Sequence, residues 1–445
     1  MREQSDAAKR VFFHTFGCQM NVYDTGKMRA KLMGEGWESV DDPGEADLIL
    51  LNTCSIREKA VAKMDSALGT YRRFKRQRPV VLGVAGCVAQ QEGQALLDRY
   101  PDVDLVFGPD GVPHVESLVR QAQGGARVLD TDFLDLDTYP FVSDIDPQTD
   151  GVGAFVTIQK GCDNKCTFCI VPTTRGAEAS RPSAQILDEV RGLVARGVQE
   201  ITLIGQNVNS YGLKVPGELT FAQLLYAVAE VPGVARIRYT TSHPRDMGDD
   251  VVQAYRDLPQ LTSHLHLPVQ SGSSRVLRRM KRFYTREHFL RVVDALRDAR
   301  PDLALTTDII VGFPGETDDD FADTMSLMQA AGFVGSFSFK YSPRPGTPSL
   351  RLKDAVPDEV ASARLSTWQA AQRERSQAWT RSHEGQVVDV LVEGPSRHDA
   401  GVVCGRTGGN LMVNFPGDLS LVGATVPVRV TRGFTHSARG ERIEA

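Results

Sequence analysis

Short apolar runs alternate with longer mixed stretches along the first third of the chain. Val11–Thr15, Leu48–Leu51, Val80–Val84 and Val103–Phe107 are the apolar runs, and helix-compatible segments separate them. That rhythm predicts a parallel sheet with flanking helices, an α/β arrangement. An acidic segment, Asp130–Asp150, carries Pro140 and Pro147 and reads as a linker. The rhythm then resumes, with strands predicted at Phe155–Gln159, Ile201–Ile204, Arg236–Tyr239, His264–Leu267, Leu303–Val311 and Ser336–Lys340. Helical patterns such as Ser183–Arg196, Phe221–Val231 and Arg286–Ala299 fall between them. Six strand–helix units suggest a partial (β/α)6 barrel related to the full eight-fold type, with an open doubly wound sheet as the alternative. From about Arg381 the pattern changes again. Gln386–Val392, Ala400–Cys404, Leu411–Phe415 and Ala424–Thr431 read as short strands joined by Gly-rich turns, hence a small antiparallel β-barrel. The expected domains are 1–145, 146–379 and 380–445.

Composition adds limits to this picture. A chain of 445 residues is too long for one core, and ~100–200 residues per domain suggests two to four. The content, 41% hydrophobic and 24% charged, is that of an ordinary folded protein. No run approaches the ~18 apolar residues of a membrane span. The start, MREQSDAAKR, lacks the apolar stretch of a secretory signal, so a cytoplasmic location is expected. A net charge of -5 argues against a surface coated with basic groups but leaves room for a local patch that steers a polyanion. Two clusters qualify: Arg72, Arg73, Lys75, Arg76 and Arg78, and Arg275, Arg278, Arg279, Lys281 and Arg282, the latter followed by Phe283 and Tyr284. A solvated helix face and an RNA contact are both open readings of each.

Seven cysteines in a large chain without a signal suggest thiols kept for metal or catalysis rather than a disulfide framework. GCDNKCTFC, residues 161–169, sets Cys162, Cys166 and Cys169 in a C-x3-C-x2-C loop directly after a predicted strand. Three thiolates on one loop can hold three irons of a cubane cluster and leave the fourth for an external ligand such as S-adenosylmethionine. A structural zinc site would need a fourth ligand and commonly shows paired CxxC spacing. Cys18 in TFGCQMN, Cys54 in LNTCSIREKA and Cys87 in GVAGCVAQ each lie about three residues beyond an apolar run. In a parallel sheet those positions gather at one carboxyl edge, where ligands bind. A lone cysteine there is usually a small buried hydrophobe, but three in equivalent positions point to a second cluster. Cys404 lies alone in a predicted strand and reads as a core-packed thiol.

Softer signals accompany these. GFPGE, Gly312–Glu316, reads either as a ligand-contacting loop or as a tight turn. Alternation in His264–Leu267 turns His264 and His266 towards a barrel interior, as hydrogen-bonded residues or as ligands. Gln206, Asn207, Ser242 and Gln270 follow predicted strands and could hydrogen-bond a cofactor, or be ordinary turn residues.

Taken together, the C-x3-C-x2-C loop, the three upstream cysteines and the terminal β module resemble the radical S-adenosylmethionine methylthiotransferases over nearly the whole chain. FGCQMN, NTCSIREKA, HLPVQSGS with MKRFYT downstream, and YSPRPGTP resemble the MiaB-type tRNA branch of that family. The resemblance implies two [4Fe-4S] clusters and S-adenosyl-L-methionine as cofactors, and a C-terminal TRAM domain that contacts tRNA. Cys162, Cys166 and Cys169 would hold the radical-generating cluster; Cys18, Cys54 and Cys87 would hold an auxiliary one that supplies the inserted sulfur. The implied reaction is conversion of N6-dimethylallyladenosine at tRNA position 37, next to the anticodon, to its 2-methylthio derivative. The implied partners are that tRNA, an electron donor and a sulfur or cluster supply protein, with the chain itself a monomer away from any membrane. Asp163 departs from the pattern, since relatives often carry Asn there. Rival readings are methylthiolation of threonylcarbamoyladenosine and a non-catalytic iron–sulfur protein that binds RNA or carries electrons.

Overall fold

The structure, a computed structural model, describes residues 8–55, 58–136, 138–146, 148–149, 151–397 and 399–443. Part of the predicted linker (Asp137, Pro147 and Asp150) and of the SIREKA segment (Ile56 and Arg57) lies outside the described residues. The chain divides into two compact units. One comprises Met1–Thr149, Gln159–Asp163 and Ile170–Arg181; the other comprises Asp150–Ile158, Asn164–Cys169 and Pro182–Ala445.

The main sheet of the first unit contains, among the described residues, β1 (Lys9–Phe16), β2 (Trp37–Ser39), β3 (Leu48–Thr53), β4 (Val81–Ala85), β5 (Leu105–Phe107) and β6 (Val128–Asp130). They run parallel in the order β2-β1-β3-β4-β5-β6. Every residue of central β3 is buried, because helices cover both faces of the sheet. Leu48 and Leu50 pack with Met28, Leu32 and Val115 on one side, and Ile49 and Leu51 with Met64, Leu68 and Val88 on the other. The predicted apolar runs correspond to β1, β3, β4 and β5. The two edge strands, with sequences WES and VLD, carry a polar or charged residue within three positions and make no apolar run, so they are not legible in the sequence.

After β7 (Gly153–Thr157), a strand of the second unit, come β8 (Gln159–Lys160) and β9 (Ala179–Ser180), an antiparallel pair in the first unit. The predicted strand Phe155–Gln159 is therefore broken at Ile158. The second unit continues with β10 (Glu200–Ile204), β11 (Arg236–Tyr239), β12 (His264–His266), β13 (Ala304–Val311) and β14 (Gly335–Lys340). Two parallel ladders, β7-β10-β11 and β12-β13-β14, are joined by a parallel bridge between Ile237 and Leu261. Helices follow the strands, including Ser183–Val194, Phe221–Ala229, Arg286–Ala299 and Asp318–Ala331, so the arrangement is the expected partial barrel. Thr220 and Thr317 open two of these helices with capping boxes, satisfying backbone N–H groups that the first turn leaves unpaired.

A closed barrel ends the second unit: β15 (Val387–Pro395), β16 (Val402–Arg406), β17 (Met412–Pro416), β18 (Thr425–Gly433) and β19 (Ala438–Arg442), in the order β15-β16-β17-β19-β18. Val390, Val403, Val413, Phe415 and Val428 fill it. β19 pairs antiparallel with β18 but parallel with β17, so the barrel is not purely antiparallel. It escaped the sequence reading because its inward residues are Ala438 and Gly440, which leave no apolar run. Cys404 is not the core-packed thiol that its place in a predicted strand suggests. It sits half-exposed on β16 between the buried Val403 and Gly405, on the face turned away from the barrel core. Among the described residues no helix is long and apolar enough to cross a membrane.

Candidate metal and cofactor sites

β1, β3 and β4 are neighbours in the sheet, and a cysteine follows each at its carboxyl end. Cys18 caps the helix Gln19–Gly34, Cys54 directly follows β3, and Cys87 opens the helix Cys87–Glu92. The backbone brings them close. Cys54 N–H donates to Phe16 O at 3.1 Å. A Cβ at Gly17 would lie 2.3 Å from Cys54 Cβ, and one at Gly86 would lie 2.3 Å from Asn52 Oδ1. Only glycine permits those approaches. Two buried amides lock the loops: Asn21 Nδ2 donates to Asn52 Oδ1 and Asn52 Nδ2 to Asn21 O, both at 2.9 Å. The Cys18 thiol donates to Asn21 Oδ1 at 3.3 Å.

A buried guanidinium supplies the charge. Arg175 pairs with Asp24 at 2.6 Å. Burial alone would lower its pKa, but Asp24, Cys87 and Cys18 outweigh that and hold it well above the ordinary value. The hydrogen bond with Cys54, with the charge of Arg175 adding to it, outweighs the cost of burial and brings the Cys18 thiol down to about 6. Burial pushes Cys87 up, with Arg175 opposing. Cys54 is 1% exposed and Cys87 4%, so both are dry thiols, and the fixed positive charge of Arg175 acts on Cys87 and Cys18. A soft three-sulfur donor set of this kind suits iron–sulfur ligation. Among the described residues no group of three or more His, Cys, Asp or Glu side chains forms a single-ion site. A cubane places each thiolate on a different iron, so it does not require such convergence. The sequence reading missed Asn21, Asn52, Asp24 and Arg175, although the first two stand inside the quoted FGCQMN and LNTC motifs.

Of the radical-loop cysteines, Cys162 belongs to the first unit, and Cys166 and Cys169 to the second. Cys162 N–H donates to Gly176 O at 3.2 Å. Asp163 Oδ1 accepts from Glu178 N–H at 3.1 Å. An asparagine oxygen could accept the same bond, so the local hydrogen bond does not distinguish the two residues. Cys169 N–H donates to Cys166 O at 3.1 Å, closing a turn. Thr167 N–H donates to Met280 O at 3.0 Å, and its hydroxyl to Arg279 O at 3.1 Å.

The soluble-ligand candidates lie at the carboxyl ends of the second unit's strands. Asn207 follows β10 and donates through Nδ2 to Asp246 at 2.7 Å. Asn207 Oδ1, Ser242 Oγ and His243 Nε2 are buried and have no hydrogen-bond partner among the described residues. His243 Nδ1 accepts from Arg245 N–H at 3.2 Å, so the ring proton belongs on Nε2. Burial, aided by Arg282 and Arg245, pushes this histidine down to about 2, so it stays neutral. Unmatched buried polar atoms are costly, and three at one strand edge fit a polar ligand. Thr241 and Gln270 have φ of 70° and 75°, a strained backbone just beyond β11 and near β12. Gln270 is 8% exposed, and its backbone bonds β13 in both directions. Gln206 precedes Asn207 and is half-buried.

The remaining motifs resolve towards architecture. His264 and His266 are hydrogen-bonded through Thr306, and His266 also meets Asp308 at 3.3 Å. In GFPGE the buried Glu316 carboxylate accepts from Gly312 N–H at 2.6 Å and pairs with Arg364 at 2.8 Å, which is a tight turn. Arg72 and Lys75 pair with Asp102 and Asp104, and Arg78 donates to Gly44 O at 2.8 Å. Arg275 pairs with Asp320, Arg279 donates to Pro314 O at 2.9 Å, and Arg282 is buried. Arg278 and Lys281 are exposed, with no ion pair among the described residues.

Three family models match the chain: the radical SAM superfamily over residues 156–328, the uncharacterized protein family UPF0004 over 10–108, and the TRAM domain over 381–443. A tRNA-2-methylthio-N(6)-dimethylallyladenosine synthase of Geobacter metallireducens is 49% identical over 436 residues, 97% of this chain and 98% of that one. The chain belongs to that synthase family. A second member, from Methylococcus capsulatus, is 48% identical over 98% of this chain and 96% of its own. The radical S-adenosylmethionine methyltransferase TsrM of Kitasatospora setae shares the fold, with a TM-score of 0.58 at 14% identity over 77% of this chain and 74% of that one. As a member of the synthase family, the chain is an enzyme that uses S-adenosylmethionine and iron–sulfur chemistry.

Proposed function

We propose that this enzyme methylthiolates C2 of adenosine 37 in tRNA, turning N6-dimethylallyladenosine into 2-methylthio-N6-dimethylallyladenosine. The observation that carries the reading is the gathering of Cys18, Cys54 and Cys87 on one sheet edge beside Arg175. Cleavage of S-adenosylmethionine alone has no use for a second thiol site; sulfur insertion does. Cys162, Cys166 and Cys169 would hold one [4Fe-4S] cluster, and Cys18, Cys54 and Cys87 the other. Bound there, the first would supply the electron that cleaves S-adenosylmethionine and the second the sulfur that is inserted.

The chain's own contribution is placement. Asn207, Ser242 and His243 offer buried hydrogen-bonding atoms to S-adenosylmethionine, with Gln206 and Gln270 beside them in the chain order of the strand ends. The adenine C2–H bond is inert to general bases, so orientation and exclusion of water matter more than proton transfer. The tRNA would lie against the second unit, with the TRAM barrel of residues 380–445 as a contact. An electron donor and a sulfur or cluster supply protein complete the system, in the cytoplasm, with the enzyme as a monomer.

The test is mass analysis of tRNA nucleosides from a strain lacking the chain. Dimethylallyladenosine should accumulate and its 2-methylthio form vanish. The wild-type chain should restore the product; neither the Cys18/Cys54/Cys87 nor the Cys162/Cys166/Cys169 triple Ala variant should do so. Product from a folded triple variant would refute the assignment. Loss of 2-methylthio-threonylcarbamoyladenosine instead would establish the rival substrate.

A further inference from the structure

Arg282 is 6% exposed and sits in the second unit with three side-chain hydrogen bonds. Nη1 donates to Cys166 Sγ at 3.4 Å, Nε to Tyr284 Oη at 3.1 Å and Nη2 to Pro268 O at 2.9 Å. Among the described residues no carboxylate pairs with it. Tyr284 is no counter-ion: burial raises its phenol above the ordinary value, and its hydroxyl donates to Val269 O at 2.7 Å. The nearby His243 is neutral as well. A guanidinium taken out of water without an anion is strongly destabilising. Of the groups it touches, only the Cys166 sulfur can carry negative charge.

The backbone is committed to this arrangement. Lys281 and Phe283, on either side of Arg282, have φ of 55° and 58°, conformations that non-glycine residues adopt at a cost. They turn Lys281 and Phe283 outward and Arg282 inward. The cysteine segment is fastened separately, through the Thr167 bonds to Arg279 O and Met280 O. Cys166 therefore has an anchor that does not depend on the guanidinium.

We infer that Arg282 is the built-in counter-charge of the cluster held through Cys166, acting through that sulfur to make the cluster easier to reduce. The inference rests on the ligand assignment proposed above. Adding one electron to a cluster adds one negative charge beside a fixed positive one, so the reduced form gains more than the oxidised form. Arg282 is in this sense a positioning and tuning residue; it need not touch S-adenosylmethionine or RNA. Arg175 differs, because Asp24 already balances its charge.

The test uses the full-length chain with Cys18, Cys54 and Cys87 changed to Ala, so that a single cluster reports, reconstituted anaerobically. Arg282→Met removes the charge without burying a new polar group; Arg282→Lys keeps it. Iron content and a redox titration followed by electron paramagnetic resonance are the readouts. The Met variant should keep about four irons. Its midpoint should move negative enough to lower the reduced fraction about tenfold at fixed potential, 59 mV for one electron. The Lys variant should recover most of that shift. A Met variant with full iron and an unmoved midpoint would overturn the inference. Should Met lose its iron, a Lys variant that keeps iron and a near-normal midpoint supports the counter-charge role, and a Lys variant that also loses it overturns the role. Cys166→Ala separates the two layers: full iron and an unchanged signal there would refute the ligand assignment itself.

Discussion

At the scale of single residues, the sulfur-rich edge of the first unit depends on what is missing at Gly17. Its φ of 136° and the 2.3 Å that would separate a new Cβ from Cys54 Cβ leave no room for a side chain. Gly17→Ala should therefore push the Cys18 and Cys54 loops apart while leaving the sheet in place. Reconstituted protein should lose about four of roughly eight irons with its helix content unchanged, which iron assay and circular dichroism would show. Full iron in that variant would mean that the two loops need not approach. A second residue-scale consequence concerns acid. Burial, with Arg238 and His266, pushes His264 down to about 3, against about 6.5 in an unfolded chain. Between those values the unfolded state binds the proton and the folded state does not, so stability must fall as pH drops from 6.5 towards 3. His264→Asn should flatten the fall of Tm between pH 7 and pH 4.5 relative to wild type. An identical slope in the two proteins would show that this imidazole is not kept neutral.

Elements show where apolar pattern is a sufficient guide and where it fails. β11 and the helix Arg286–Ala299 match their predicted spans because their apolar positions are read directly, whereas β3 starts as predicted at Leu48 but runs two residues past the apolar run, through the polar Asn52 and Thr53. β2, β6 and β19 were illegible, the first two because polar or charged residues interrupt them and the last for its small inward residues. The attachment of the C-terminal barrel was equally hidden, since it runs through charged side chains. On β11, Arg236 donates to Arg406 O at 2.5 Å and Arg238 to Thr407 O at 2.9 Å, while Arg238 also pairs with Glu200 at 2.9 Å. Removing Arg238, itself buried, leaves the partly buried Glu200 carboxylate without its ion pair and loosens the turn after β16. Arg238→Met should cost about 3–5 kcal/mol of stability, measured by denaturant unfolding. A loss under about 1 kcal/mol would place Arg238 with the exposed pairs of little consequence.

For the whole molecule, a net charge of -5 means that RNA must find local rather than global attraction. Of the two basic clusters, most members are tied to carboxylates or carbonyls within the fold. Arg73, Arg76, Arg278 and Lys281 remain exposed, the last two with Phe283, 61% exposed, beside them. If this corner meets tRNA phosphates, changing Arg278 and Lys281 together to Gln should weaken binding. The slope of log affinity against log salt should become shallower by about 0.7–0.9 for each phosphate left without its cation. Arg279→Gln should leave the slope alone, because that side chain is already engaged at Pro314 O. An unchanged slope in the double variant would return both residues to ordinary solvation.

The sequence by itself determined the alternation of strands and helices, the change to a β module near Arg381, and the spacing of the cysteines. All of these are local: they depend on side-chain period and on residues close along the chain. It also placed Cys18, Cys54 and Cys87 just past their strands. Tertiary structure decided that those three strands are adjacent, through the order β1-β3-β4, and so that their cysteines share one edge. It also decided which charges are taken up inside the fold, as with Arg72, Lys75 and Arg275, and which are left over. Arg175 and Arg282 were invisible as neighbours of sulfur because a buried ion is defined by what surrounds it, and those surroundings come from residues more than 80 positions away: Asp24 and Cys87 for one, Cys166 for the other.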